Sequence, residues 1–311
     1  MKKQRCVIFG GGGFIGNNLL ADIGKSEKKL VVVGISKQGP NNSNCQYIQL
    51  KKIEDLENII EKDDEVINLS YATVPKTSFE NPIDDVEKNL PFAVKLFSVC
   101  AAKKIKKIIH LSSGGAVYGE QKHFPIIEQT VCRPISPYGI SKQTIDSYAH
   151  FFYQLYQLPV VVLRPSNAYG PGQIAYKGQG LIATVMASIL DKKEITIHGQ
   201  KNIRDYVFIE DIVRAIIAGL KKGKIGKIYN IGTGQGASNQ IIVEKIKALA
   251  IRDGFSLPKI NIILPRPFDV SKNILSYRRF LKDTDWRPEI NLDEGLQKTW
   301  TWFLKNYHPK S

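Results

Sequence analysis

Short apolar runs alternate with longer amphipathic segments through the first half of the chain. Five apolar runs rich in branched aliphatic residues end at turn residues and are predicted strands: Cys6–Phe9, Leu30–Val33, Val66–Leu69, Lys107–Leu111 and Val160–Leu163. The segments between them have apolar residues at helical spacing and are predicted helices: around Phe14–Ile23, Ile53–Ile60, Val86–Ala102 and Tyr138–Leu155. Strands that alternate with helices build a parallel sheet covered on both faces, so we expect an α/β fold with a doubly wound parallel sheet.

The pattern becomes irregular and rich in glycine after the fifth predicted strand. A helix over Leu181–Leu190 and a short strand over Ile195–Ile197 are predicted there. We divide the chain into a sheet domain of residues 1–166 and 207–232 and a smaller cap of residues 167–206 and 233–311. Since ligands of open α/β sheets bind at the carboxyl ends of the strands, we expect the cleft between these parts to hold the substrate.

Composition restricts the class of protein. The 311 residues are 43% hydrophobic and 23% charged, which is typical of a globular protein. Apolar runs stay well below the roughly 20 residues that span a bilayer, and the charged N-terminus does not resemble a signal peptide. The four cysteines are widely spaced without a Cys-x-x-Cys pattern. We therefore expect a cytoplasmic protein with reduced thiols, with no metal and no membrane among its partners.

The formal net charge of +15 raises the question of a nucleic-acid partner. The lysines are spread along the chain in small clusters, with no long basic run and no basic-aromatic alternation. We expect a solvated basic surface that helps to attract an anionic small substrate, and no nucleic acid.

A glycine-rich turn joins the first predicted strand directly to a helix. Each of the three glycines suits a separate purpose. The tight turn suits Gly10, the close approach of a pyrophosphate suits Gly13, and the close contact between helix and sheet suits Gly16. The helix N-terminus, beginning with Phe14 and Ile15, would present its positive end to the phosphates. A flexible turn is the alternative, but the position between strand and helix favours a Rossmann-type dinucleotide-binding domain.

The end of the second predicted strand bears on the choice of cofactor. An NAD site usually has an acidic residue there, but this strand ends in Ser36 and Lys37. These two side chains could hold a 2′-phosphate, which favours NADP over NAD. The alternative is that Lys37 is solvated and that the choice is made elsewhere.

A tyrosine and a lysine four residues apart begin another predicted helix. Ser136 is a suitable N-cap and Pro137 suits the first helical position, so Tyr138 and Lys142 project from one face. A phenol has a reference pKa of about 10, and a nearby ammonium would lower it and allow proton exchange with an alcohol or ketone. The alternative is an exposed aromatic residue beside a solvated lysine.

Several motifs together resemble the extended short-chain dehydrogenase/reductase family, the nucleotide-sugar epimerases and dehydratases, and in particular the UDP-glucose 4-epimerases. They are the glycine turn, Ser112–Gly119, the Tyr138/Lys142 pair, Leu163–Pro171, His198–Gln200, Arg204–Asp211, Tyr229–Gly234 and Asp285–Pro288. The resemblance spans nearly the whole chain. It is specific for the family and much less so for the substrate.

The resemblance implies roles for individual residues. Tyr138 corresponds to the acid/base, and Lys142 to the residue that lowers its pKa and binds the nicotinamide ribose. Asn89 corresponds to an asparagine that supports the active site near the cofactor, and Asn167 to a residue near the substrate phosphates. Two further correspondences are Arg204 and Arg266, which match arginines that clamp the pyrophosphate of a UDP- or dTDP-linked sugar.

The chain departs from the family pattern after the middle strand. Family members usually have Ser or Thr where this chain has Gly114. Ser113 is therefore the candidate for bonding the sugar oxygen, and Ser112, which we also assign to the cofactor site, is the alternative. The dehydrating relatives need an Asp-Glu pair, and the decarboxylating relatives a glutamate, where this chain has Gly115 and Ala116. Both reactions are thus disfavoured.

The resemblance implies an NAD(P)-dependent nucleotide-sugar 4-epimerase, with an NADPH-dependent 4-keto-sugar reductase as the alternative. An epimerase retains its cofactor, whereas a reductase consumes it at each turnover. A cofactor-binding regulator or a nucleic-acid-binding module are the non-enzyme alternatives, and the Tyr138/Lys142 pair disfavours a regulator. Relatives form homodimers through two long helices, here 84–102 and 138–157, and a role in polysaccharide biosynthesis is implied in the same way.

Overall fold

The computed structural model describes residues 3–24, 27–40 and 44–309. Its strands are β1 (Arg5–Phe9), β2 (Lys29–Gly34), β3 (Cys45–Gln49), β4 (Glu65–Asn68), β5 (Lys107–Leu111), β6 (Val160–Pro165), β7 (Asn167–Tyr169), β8 (Ile195–His198), β9 (Ile203–Arg204), β10 (Tyr206–Phe208), β11 (Ile228–Ile231), β12 (Ala237–Ser238), β13 (Ile260–Ile263) and β14 (Lys272–Asn273). Its helices are α1 (Phe14–Ile23), α2 (Leu56–Ile59), α3 (Pro75–Glu80), α4 (Pro82–Ala102), α5 (Gly114–Val117), α6 (Pro137–Tyr156), α7 (Leu181–Leu190), α8 (Ile209–Lys222), α9 (Asn239–Arg252), α10 (Arg278–Thr284) and α11 (Leu292–Asn306).

Within the described residues, seven parallel strands form a central sheet in the order β11-β6-β5-β4-β1-β2-β3. The fold class predicted from the sequence is confirmed. The two edge strands, β3 and β11, were not predicted, because their short runs include polar residues and lack the continuous apolar pattern of the central strands.

The strand order reverses at β1, which lies between β4 and β2. In such sheets a crevice opens at the carboxyl ends of the strands beside the reversal. The amide of Leu69, just after β4, donates to Phe9 O at 3.0 Å, so the loops after β1 and β4 meet at this crevice. The topology thereby brings residues 10–16 and residues 69–73 together.

The sheet is covered by an apolar layer on each face. Helices α1 and α8 pack on one face with residues such as Leu19 and Ile216, and α4 and α6 pack on the other with Phe97 and Ile145. A third apolar cluster joins α7, α9 and α11 in the second half of the chain. Among the described residues, no helix is long and apolar enough to cross a membrane. The division into a sheet domain and a cap stays a prediction.

Helix bounds mostly follow the predictions. The bounds of α1 and α7 agree with them, whereas α4 begins at Pro82 rather than at residue 86, because the Asn81 side chain caps it by accepting from the Asp84 amide at 3.2 Å. The helix predicted around Ile53–Ile60 is a 3-10 turn at Ile53–Asp55 followed by the short α2.

Candidate active site

The glycine turn after β1 is shaped for a close approach. Gly10 has a φ of +77°, which favours glycine, and a Cβ on Gly16 would lie 2.4 Å from Gly10 O. Gly13 is the N-cap of α1 and its amide donates to Gly10 O at 3.1 Å. The side chains of Phe14 and Ile15 are partly buried against the apolar clusters, and the contact of these two residues with a cofactor stays a prediction.

A cavity of about 730 Å³ adjoins this turn. Gly10, Gly13 and Ser36 line it, together with Tyr47, which the sequence analysis missed because β3 was not predicted. The Tyr47 hydroxyl donates to Ser36 O at 2.7 Å. Lys37 is exposed and is not among the residues that line the cavity.

Helix α6 carries the Tyr138/Lys142 pair to the carboxyl end of β5. The predicted cap is confirmed, since Ser136 Oγ accepts from the Gly139 amide at 3.1 Å and Pro137 is the first helical residue. Lys142 is buried, with 4% of its surface exposed, and its Nζ donates to Leu111 O at 3.0 Å. Nζ lies 5.8 Å from the centre of the Tyr138 ring.

The sequence predicts that Lys142 lowers the pKa of Tyr138, but in this structure the pKa of Tyr138 is raised. Burial raises the pKa of Tyr138 to about 12, because a phenolate loses its hydration there, and a hydrogen bond with Ser113 opposes this only in part. Burial also lowers the pKa of Lys142 to about 8, against the attraction of Asp146 and Asp85. At neutral pH the site therefore holds a phenol and an ammonium.

The two candidate serines face different neighbours. Ser113 is near the Tyr138 hydroxyl and opposes the rise of its pKa, whereas the Ser112 hydroxyl is buried near Asp146, whose pKa is raised by burial and lowered only in part by Arg164 and Ser112. Asp146 is in turn paired with Arg164 at 2.8 Å, and both side chains are buried. Ser112 thus belongs to a polar cluster behind the site.

Two glycines after Ser113 differ in the space around them. A Cβ on Gly114 would lie 2.4 Å from Leu275 Cδ1 and 2.8 Å from Arg164 O, so no side chain fits. A Cβ on Gly115 would have contacts of 3.9 Å with Asn167 and 4.0 Å with Ser113 Oγ. Gly115 therefore faces a space that Ser113 and Asn167 also border.

Asn89 fixes the loop after β4. It is buried on α4, its Oδ1 accepts from the Ala72 amide at 2.7 Å, and its Nδ2 donates to Asp85 O at 2.8 Å. The sequence analysis missed two neighbours, Tyr71 in this loop and Asp85 one helical turn before Asn89. Tyr71 could have been found from its position, since it follows the carboxyl end of a strand beside the reversal of strand order.

The two predicted phosphate-binding arginines come close enough to interact. Burial lowers the pKa of the Arg204 guanidinium, and the positive charge of Arg266 lowers it further. Arg266 forms a two-point pair with Asp269, with distances of 2.9 and 3.1 Å, and its guanidinium lies 4.9 Å from the Phe268 ring centre. Asp269 is a partner that the sequence analysis did not identify.

A parallel sheet with a glycine turn and cavity at its reversal point, and a Tyr/Lys pair at the same edge, defines a dinucleotide-binding protein of the Rossmann type. The chain belongs to the NAD dependent epimerase/dehydratase family, whose family model matches residues 6–232. It is thus an extended short-chain dehydrogenase/reductase of the nucleotide-sugar group.

Three similar proteins illustrate the range of this family. The chain is 30% identical to a dTDP-D-glucose 4,6-dehydratase of Dictyostelium discoideum over 97% of this chain and 82% of the relative. The UDP-glucose 4-epimerase of Thermotoga maritima, solved with UDP-glucose, is 32% identical with a TM-score of 0.90 over 98% of this chain and 100% of that one. The UDP-glucose 4-epimerase of Thermus thermophilus, solved with NAD, is 27% identical with a TM-score of 0.89 over 97% and 100%.

Proposed function

We propose that this protein is a nucleotide-sugar 4-epimerase that uses NAD or NADP and in which Tyr138 is the acid/base. The observation that carries the proposal is the meeting of Tyr138, Lys142 and Ser113 at the sheet edge that also bears the glycine turn. Similarity to 4-epimerases over nearly the whole chain supports it.

The residues present fit a dinucleotide. The glycine turn leaves room where a Cβ on Gly10 or Gly16 would collide with backbone, and the amides at the N-terminus of α1 suit a pyrophosphate. Gly13 and Ser36 of the adjoining cavity would hold the adenosine half, and Lys142 and Asn89 would lie toward the nicotinamide half. When bound, the nicotinamide supplies reversible hydride transfer with the sugar C4.

In this proposal, protein side chains donate and accept the proton of the C4 hydroxyl. In the reducing step the Tyr138 phenol would give its proton to the oxygen of the 4-keto sugar and become a phenolate, and in the oxidising step that phenolate would take the proton of the C4 hydroxyl and become a phenol again. The Lys142 ammonium and the Ser113 hydroxyl stabilise the intervening phenolate. One oxidation and one reduction together return Tyr138 to the protonation state in which it started.

Positive charge in the second half of the chain suits the substrate phosphates. Arg204 and Arg266 are near each other and repel, which an anion bound between them would relieve. Asn167 borders the same space as Ser113 and would lie between the phosphates and the sugar. A UDP- or dTDP-linked sugar is the proposed substrate.

The chain offers no carboxylate for a dehydratase at the usual place. Within the described helix α5 the residues that would carry it are Gly115 and Ala116. This favours epimerisation over the activity named for the Dictyostelium relative.

Cofactor choice is proposed from the end of β2. Ser36 lines the cavity without a carboxylate nearby on that strand, which keeps NADP as our prediction over NAD. A cytoplasmic homodimer that supplies sugars for polysaccharide biosynthesis is the wider proposal.

Replacement of Tyr138 by Phe tests the mechanism. Assayed by interconversion of UDP-glucose and UDP-galactose, or the dTDP pair, Tyr138→Phe should lose a factor of about 10² to 10⁴ in kcat, since it removes the proton donor. Tyr156→Phe, at an exposed position on the same helix, should match the wild type. Full turnover by Tyr138→Phe would disprove the mechanism. Steady consumption of added NADPH with a 4-keto sugar would favour the reductase instead.

A further inference from the structure

Tyr71 covers the ammonium group of the proposed Tyr/Lys pair. Lys142 Nζ lies 3.9 Å from the centre of the Tyr71 ring, closer than its 5.8 Å to the centre of the Tyr138 ring. The Tyr71 and Tyr138 rings meet edge to face, with centres 5.0 Å apart and an interplanar angle of 74°. Tyr71 therefore contacts both members of the pair.

The buried carboxylate of Asp85 fixes the Tyr71 ring. The Tyr71 hydroxyl lies 3.2 and 3.4 Å from the two carboxylate oxygens and donates to them, and Asp85 has no exposed surface. Asp85 also accepts a hydrogen bond from Thr73 Oγ1. Because Asn89 bonds the Ala72 amide and Asp85 bonds the Thr73 hydroxyl, the loop is also attached to α4 at the two residues that follow Tyr71.

An ammonium that is buried at this position needs stabilising contacts from its neighbours. An ammonium has three donors, and the one hydrogen bond described for Lys142 Nζ goes to Leu111 O. A cation over an aromatic face is stabilised within about 6 Å of the ring centre, more so when water is excluded. The negative charge of Asp85 further favours the ammonium.

We propose that Tyr71, backed by Asp85, is a positioning residue that holds the Lys142 ammonium beside Tyr138. This inference rests on the proposed function of the pair. We assign no proton transfer to Tyr71, because its hydroxyl proton is donated to the buried Asp85 carboxylate, and burial and that carboxylate both raise its pKa. Its contribution is the negative face of the ring and a fixed wall against which the lysine side chain lies.

Other titratable groups also face Lys142. They are Tyr138 and Asp146 on α6, Asp85 on α4, Tyr71 after β4 and His110 on β5. Burial lowers the pKa of His110 to about 3, so His110 is neutral throughout the working range. Asp85 and Asp146 are not altered in the variants below, so a change in the titration of Lys142 reports on Tyr71.

The titration of Lys142 tests the inference without a substrate. In full-length protein with ¹³Cε-labelled lysine, the NMR signal that disappears in Lys142→Arg identifies this residue. We expect a midpoint near pH 8 in the wild type. In Tyr71→Leu the midpoint should fall by about one pH unit, because a desolvated cation–π contact is lost. Tyr71→Phe keeps the ring and should shift less than half as far.

A matched control and a second variant make the outcome decisive. Tyr307→Leu removes another tyrosine that donates to an aspartate, Asp191 at 2.9 Å, in the C-terminal segment, and should leave the Lys142 midpoint unchanged. Tyr71→Met fills a similar volume without an aromatic face and replaces Tyr71→Leu if that variant does not fold. An unchanged midpoint in the folded non-aromatic variant would overturn the inference, as would a shift in Tyr71→Phe as large as in that variant.

Failure of this inference and failure of the proposed function are distinguishable. An active wild type with an unshifted midpoint in Tyr71→Leu would reject the role of Tyr71 alone. A wild type without 4-epimerase activity would reject the proposed function, while the titration would still report whether Tyr71 holds the ammonium.

Discussion

Lys142 is the residue on whose charge the proposed site most depends. It is buried, and burial lowers its pKa to about 8, so the ammonium is present below that pH and is lost above it. Tyr138 remains a phenol over this range, because its pKa is raised to about 12. We therefore expect loss of the Lys142 ammonium to set the alkaline limit of the proposed ketone reduction.

We expect the rate of the reducing step, in which the Tyr138 phenol gives its proton to a 4-keto sugar, to be level near pH 7 and to fall about tenfold per pH unit above pH 8, as a single ionisation removes the ammonium that stabilises the phenolate formed. A pH–rate profile from pH 6 to 10 checks this, with circular dichroism at each pH to confirm that the protein stays folded. A profile that stays level to pH 10 would show that the charge of Lys142 is not required.

Gly114 lies where the surrounding packing leaves no room for a side chain. The family resemblance implies a hydroxyl side chain at this position, which the substitution Gly114→Ser would restore. Because a Cβ would lie 2.8 Å from Arg164 O, we expect Gly114→Ser to be destabilised by about 1 to 3 kcal/mol and to lose activity. Thermal unfolding and kcat measure both effects.

Gly115→Ser is the matched control for that substitution. Its Cβ would meet nothing closer than 3.9 Å, so its melting temperature should stay near that of the wild type. Equal melting temperatures for Gly114→Ser and the wild type would contradict the steric account and would leave the position of Ser113 unexplained.

At the scale of elements, the start of α6 determines where the proposed acid/base, Tyr138, lies. Tyr138 is the second residue of this helix, and its amide donates to Ser78 Oγ of α3 at 3.1 Å. The buried Ser136 caps the same turn. Fraying of this turn would move the phenol away from Ser113.

Ser136→Ala should therefore cost about 1 kcal/mol of unfolding free energy and also lower kcat. Ser238→Ala is the matched control, since Ser238 caps α9 with the same kind of bond, accepting from the Ile241 amide at 3.2 Å. It should cost a similar free energy with kcat unchanged. Chemical denaturation and steady-state kinetics compare the two variants, and an equal kcat in both would contradict a positional role for this cap.

At the scale of the whole molecule, α4 and α6 pack side by side and leave apolar side chains exposed. Val86 is 46% exposed on α4, and Phe151 and Leu155 are 42% and 67% exposed on α6. Large exposed apolar patches mark interaction sites, which supports the homodimer proposed above.

We expect the wild type to sediment as a dimer at micromolar concentration. Phe151→Glu places a charge in the proposed interface and should give a monomer, whereas Leu264→Glu, at a residue 86% exposed after β13, should remain dimeric. Analytical ultracentrifugation distinguishes these outcomes. A monomeric wild type, or a dimer that Phe151→Glu does not weaken, would reject this interface.

What the sequence determined by itself is local. Apolar spacing specified the central strands and most helices, and the glycines of residues 10–16 and the four-residue separation of Tyr138 and Lys142 belong to single turns of chain. The short edge strand β3 was not predicted, because its stability comes from pairing with β2 rather than from its own residues. Tyr47 was missed with that strand.

The tertiary structure decided the properties that depend on contacts between distant parts of the chain. The pKa of Tyr138 is raised rather than lowered because the surrounding packing excludes water, which no spacing within one helix reveals. Gly114 excludes a side chain because Arg164 and Leu275 close around it, and Tyr71 reaches Lys142 because the loop after β4 meets α6. Burial and long-range contact set the electrostatics of the site, whereas the sequence set the chemical groups available to it.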